Sequence, residues 1–172
     1  MRRLDELTVQ EVVDEAHVSR QTFYSYFDTK YAVVASLVDD MGQAVYTAWR
    51  PFFSGDGPVR RDELEQLGVL TLRLWREEAA LYAATIEGWH SDQQVHDVWN
   101  QVLLHFAAAL TARLQRARPL QPGDDMLVTA MINLFERCSY LAVTTPDSTL
   151  GRSDTELAAM LADVWVRSLR LG

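Results

Sequence analysis

Glycine and proline fall almost entirely between segments whose apolar residues recur every three or four positions, and no stretch sustains an alternation of period two. Such a chain offers no strand, so the expected fold class is all-α. Thr8 followed by Glu11 reads as a capping box that opens a short helix from about Val9 to Ala16. Ser19 caps a second, from about Arg20 to Tyr26. Asp28 or Thr29 starts a third and much longer helix at Lys30, expected to stop near Trp49 because Pro51 and the 54–58 loop follow. That loop is the clearest linker, and it suggests a head of residues 1–48 and a body of residues 49–172. In the body, helices are expected over about 61–76 and 78–89. A long amphipathic helix then runs from a cap at Ser91 or Asp92 to about Arg118, followed by helices over about 124–143 and 153–171.

The chain has 172 residues, a formal charge of -8 and 48% hydrophobic residues, which is enough apolar material for a packed core. No uninterrupted apolar run reaches the roughly 18 residues of a membrane span, and the start has no signal-type stretch, so a cytoplasmic protein is expected. The single cysteine, Cys138, excludes an intrachain disulfide. An enzyme is poorly supported. His96 and His105 lie nine residues apart on one helix and so face opposite ways, and no nucleophile motif, glycine-rich phosphate loop or two-cysteine metal motif occurs. No cofactor is expected.

Residues 8–27 have the layout of a helix-turn-helix, a short positioning helix and a second helix that offers its leading residues to a major groove. Ala16 allows close helix approach, His17 occupies the turn, Val18 is placed to plug the angle between the helices, and Ser19 caps the second. Phe23 and Phe27, four apart, would face inward, while Gln21, Thr22, Ser25 and Tyr26 point outward with tips that can bond base edges and phosphates. The bulk charge runs against this, since residues 1–30 carry Arg2, Arg3, Arg20 and Lys30 against six acids, and Lys30 is the only lysine in the chain.

The run from Val12 to Lys30, with Ala16-His17-Val18-Ser19-Arg20-Gln21-Thr22-Phe23-Tyr24 and Tyr26-Phe27-Asp28-Thr29-Lys30 within it, resembles the DNA-binding signature of the TetR family. The resemblance implies that Tyr24 and Lys30 grip phosphates while Arg20, Gln21, Thr22 and Tyr26 face the groove. Thr8, Ser19 and Ser25 complete the candidate DNA-facing set. It also implies glycine where His17 stands, at a turn residue that tends toward positive φ, and a further helix ahead of Leu4. The expectation is therefore a truncated three-helix head whose natural start lies upstream. More weakly, Phe135-Glu136-Arg137 and Val164-Trp165-Val166 resemble the subgroup of the mycobacterial ethionamide-resistance repressor, which implies a tunnel for an elongated apolar ligand.

Trp99, Leu103, Phe106 and Trp165 fall at tunnel-lining positions by that resemblance, and Val102 joins them as a candidate ligand contact. Asn133 is either a polar anchor or a satisfied core group. Glu136 is also a candidate, although pairing with Arg137, Arg113 or a partner protomer suits a buried charge better. The helix over 124–143 is apolar on nearly every side, so it either joins 153–171 in a homodimer seam or lies at the centre of a monomeric core. These features point to a repressor that leaves a palindromic double-stranded operator when a small apolar effector wedges among Trp99, Phe106 and Trp165 and swings the long helix. The competing reading is a dimeric helical ligand carrier with impaired DNA binding.

Overall fold

The computed structural model describes residues 3–145, 147, 149–151 and 153–171. They form eight α-helices and no strand: α1 (Val9–Glu15), α2 (Arg20–Tyr26), α3 (Lys30–Phe53), α4 (Arg61–Glu77), α5 (Ala79–Ser91), α6 (Gln93–Ala117), α7 (Asp124–Thr144) and α8 (Asp154–Ser168), with a 3₁₀ turn at Thr149–Gly151. Of the loop expected between Thr144 and Arg152, Pro146, Ser148 and Arg152 lie outside the described residues.

Local chemistry explains most boundaries. Thr8 accepts from the Glu11 amide while Glu11 accepts from the Thr8 amide, and Ser19 and Ser153 accept from the Thr22 and Glu156 amides. The end of α3 differs most from expectation: the helix runs through Pro51 to Phe53. Proline there removes a donor only from the final turn, and α6 supplies replacements for the end of the helix. Arg113 Nε donates to the Phe52 carbonyl at 3.0 Å and Arg116 Nη2 donates to that of Phe53.

Contacts divide the chain into two compact units, residues up to Gly42 with Ala80–Val102, and Gln43–Ala79 with the residues from Leu103 onward. In the first, Leu4, Val13, Phe23, Val38, Tyr82 and Val95 are buried. Chain order alone groups 80–102 with the body; their packing joins them to the head. In the second, α4 and α8 come close enough that a Cβ on Gly68 would lie 3.0 Å from that of Ala158. Leu72, Ala142, Leu157, Ala158 and Leu161 form its core, and Arg61–Asp163 and Arg76–Asp154 ion pairs flank the same two helices. Asp124, almost fully buried, accepts from the Gln121 amide, Arg118 and Arg170 at 2.8 to 2.9 Å, which ties the turn before α7 to the end of α8. Among the described residues α7 meets the length and composition test for a membrane span, with a mean hydropathy of 1.3 over its most apolar window. The sequence criterion of an uninterrupted run had excluded it, because Asp125, Glu136 and Arg137 break the apolar stretch.

Candidate nucleic-acid interface

The turn between α1 and α2 is a Schellman motif. The His17 amide donates to Asp14 O at 3.2 Å, the Val18 amide donates to Val13 O at 3.0 Å, and His17 takes the left-handed conformation at φ 54. Histidine thus holds the position that favours glycine. Val18 differs from expectation: it is 42% exposed, while Val13 of α1 and Phe23 of α2 are buried. Phe23 packs on Phe27 with ring centroids 5.9 Å apart and meets Tyr24 edge-on. Because the inward side of α2 is spent on these aromatics, its other side chains face solvent.

That outward face carries Arg20, Gln21, Thr22, Tyr24, Ser25 and Tyr26, all exposed, with Tyr26 at 78%. Internal contacts pre-orient several of them. Arg20 Nη2 lies 3.4 Å from Tyr24 Oη and its guanidinium sits over the Tyr24 ring, Thr22 Oγ1 is 2.8 Å from Ser19 Oγ, and Ser25 Oγ donates to Thr22 O. Arg20 is the cation on this surface, and the arrangement presents one positive charge, two phenols, two hydroxyls and an amide along two turns of helix. Such a set can bond phosphates and base edges. Thr8 and Ser19 are occupied as helix caps. Lys30, half-buried, points inward, and its Nζ donates to Asp5 O at 2.9 Å and Leu7 O at 2.6 Å.

The ligand candidates divide between the units. Trp99 is buried in the first unit against Tyr82, centroids 5.8 Å apart, and Val102 packs on Gly42, where a Cβ would approach its methyl to 2.8 Å. In the second unit Phe106 belongs to an aromatic cluster with Tyr46, Trp49 and Phe53, at centroid distances of 5.7 to 6.0 Å. Trp165 lines a small apolar cavity with Trp49, Leu64, Phe135 and Leu161, with room for about one water molecule. Trp49 touches both the cavity and the cluster, and its Nε1 donates to Thr71 Oγ1 at 2.9 Å. No local motif in the sequence marks Trp49, Leu64, Phe135 or Leu161 as cavity-lining residues. Leu103 is half-buried. Asn133 is exposed and donates to Thr129 O of its own helix at 2.8 Å, so it faces the surface. Glu136 is half-buried; burial, and secondarily this carboxylate, push the Cys138 thiol up. Among the described residues no group of three or more metal-ligating side chains converges.

Residues 4–37 match the profile of bacterial regulatory proteins of the tetR family. The HTH-type transcriptional regulator EthR of Mycolicibacterium smegmatis is 21% identical over 173 aligned positions, covering 98% of this chain and 79% of that protein. YxbF of Bacillus subtilis, an uncharacterized HTH-type transcriptional regulator, is 23% identical over 103 residues; the match takes in 60% of this chain but only 27% of YxbF. A crystal structure from Syntrophomonas wolfei, of a protein assigned to the TetR-family transcriptional regulators, superposes with a TM-score of 0.72 over 95% of this chain and 84% of its own. At 11% identity that last likeness speaks for the fold alone.

Proposed function

We propose that this chain is a TetR-family transcriptional regulator, a repressor whose α2 enters the major groove of a palindromic operator and which a small apolar effector releases. The observation that carries the reading is the α1–α2 pair itself, two capped helices locked by a Schellman turn, with every side chain on the outward face of α2 polar-tipped and exposed. Arg20, Gln21, Thr22 and Tyr26 are the base-reading set, Tyr24 and Ser25 bond the backbone, and Thr8 and Ser19 hold the helix ends that present them. Two protomers paired through α7 and α8 would bring two such helices to a palindrome whose half-sites lie about one DNA turn apart.

The reading takes the cavity lined by Trp49, Phe135 and Trp165 in the second unit as the effector site, with Phe106 in the adjoining aromatic cluster. A cavity this small admits an effector only by widening. A ligand that binds the widened form better draws the protein toward it, and release follows if that form fits the operator less well. The test is a selection of duplexes from a random library by the purified chain, followed by electrophoretic mobility shift with wild type, Gln21→Ala and Tyr24→Phe. Enrichment of a palindrome, lost specificity in Gln21→Ala and uniformly weaker binding in Tyr24→Phe are expected; no enriched sequence would overturn the reading.

A further inference from the structure

Two charged side chains from different helices close on the same turn, the one that delivers the chain to α1. Within residues 3–7 the Glu6 and Leu7 amides donate to Arg3 O and Leu4 O, which leaves the carbonyls of Asp5 and Leu7 free to accept from elsewhere. Lys30, the first residue of α3, takes both with its ammonium. On the other side Glu87 of α5 accepts from the Leu4 amide at 2.8 Å through one carboxylate oxygen and from Arg3 Nε at 2.7 Å through the other. Gly88, the next residue, gives Val95 its room, since a Cβ there would approach Val95 to 3.1 Å, and the buried Leu4 side chain lies in ordinary contact at 3.5 Å from the same point. All of these residues belong to one compact unit.

We infer that Glu87 and Lys30 are positioning residues that clamp the Arg3–Leu7 turn and thereby fix where α1 and α2 stand, with Lys30 acting on DNA through this clamp rather than through a phosphate. The inference rests on the reading of α1–α2 as the DNA-reading head. An ammonium has three donors, and two of Lys30's are committed to carbonyls 23 and 25 residues away in sequence. Neither carbonyl has a helical partner, because Thr8 caps α1 immediately afterwards. Releasing them to reach a phosphate would undo the support of the helix being presented.

The two mechanisms differ in sign and in salt response. Removing the negative charge of Glu87 should tighten binding to a polyanion if charge alone mattered, and should weaken it if the clamp matters. Removing a phosphate contact flattens the dependence of log affinity on log salt by about one unit; losing a positioning contact leaves that slope alone. With a duplex selected by the wild-type chain, Glu87→Ala and Lys30→Met are expected to weaken binding about tenfold at every salt concentration with the slope kept, as loss of a charge-assisted bond implies. Glu87→Gln, which can still accept from the Leu4 amide, recovers most of the loss. Binding by Glu87→Ala as tight as wild type, or a slope flattened by about one in Lys30→Met, would overturn the inference. A second arm needs no DNA: amide hydrogen exchange of residues 3–8 in the free protein rises in Glu87→Ala and Lys30→Met and stays near wild type in Glu87→Gln, and unchanged exchange in the first two also overturns it. If the wild-type chain selects no duplex, the head's assignment fails while the exchange arm still decides the clamp.

Discussion

His17 at φ 54 is a non-glycine residue in the left-handed region, and two opposing magnitudes set its cost. The side chain costs roughly 1 to 2 kcal/mol there, while glycine would lose roughly 0.4 to 1 kcal/mol more in backbone entropy on folding. The steric term wins by a margin of about 1 kcal/mol. His17→Gly should therefore raise the thermal midpoint by a few degrees, and His17→Val, β-branched, should lower it; a lower midpoint in the glycine variant would refute the strain argument. Asp124 belongs to the same scale. The Gln121 amide first, then Arg118, hold its carboxyl below the usual carboxylate range. A lowered folded value means that this carboxylate contributes stability above the unfolded value near 3.9 and loses it as pH falls toward the folded one. Wild type should lose stability as pH drops below about 4, and Asp124→Asn should show a flatter acid limb together with lower stability at pH 7. Parallel acid limbs in the two proteins would count against the assignment.

At the scale of the element, helix starts were legible because their determinants are contiguous: Thr8 with Glu11, Ser19 with Thr22, and Ser153 with Glu156 each cap within three residues. The end of α3 was not, since Pro51 is a local stop signal and the guanidinium donors that let the last turn continue come from α6, some sixty residues on. The same holds for Lys30, whose carbonyl partners precede it by more than twenty residues, and for Asn133, where the sequence cannot distinguish a pocket anchor from a side chain bonded back to its own helix. Arg113 tests the point. It is 2% exposed, stacks over the Phe52 ring and donates to Phe52 O beside the Gly55 amide, while Arg116 is already engaged with Phe53 O. Arg113→Met keeps the apolar stem but removes a charge-assisted bond and leaves the Phe52 carbonyl to the Gly55 amide alone, at about 1.5 to 3 kcal/mol. One guanidinium nitrogen that has no partner among the described residues is relieved in exchange, a smaller gain. Faster hydrogen exchange at the Ser54 and Gly55 amides and a lower denaturation midpoint are expected; unchanged exchange there would show that the helix end needs no cap from α6.

At the scale of the whole molecule, a net charge of -8 opposes DNA at long range, so a single head with Arg20 as the cation on its reading surface makes a weak binder. Two heads tethered in one particle would compensate, because the second binding event would become intramolecular and gain a factor of about 10² to 10⁴. The second unit offers a surface for that pairing. On α7 Met126 is 74% exposed and Leu134 is also solvent-facing, Met160 on α8 is exposed too, and only 28% of the apolar window of α7 is buried within the chain. A self-complementary seam through these residues would explain why a helix apolar on most sides is only partly covered. Leu134→Lys combined with Met160→Lys places two like charges against their symmetry mates and removes apolar contact, at positions open enough for each protomer to fold. Sedimentation is expected to show a dimer for wild type and a monomer for the variant, with unchanged helicity by circular dichroism. Affinity for a palindromic duplex should fall about a hundredfold or more, while affinity for a single half-site stays the same. A double variant that remains dimeric would move the seam elsewhere on the surface. A monomeric variant with undiminished affinity for the palindrome would mean that each head binds alone, and the charge argument for pairing would fall with it.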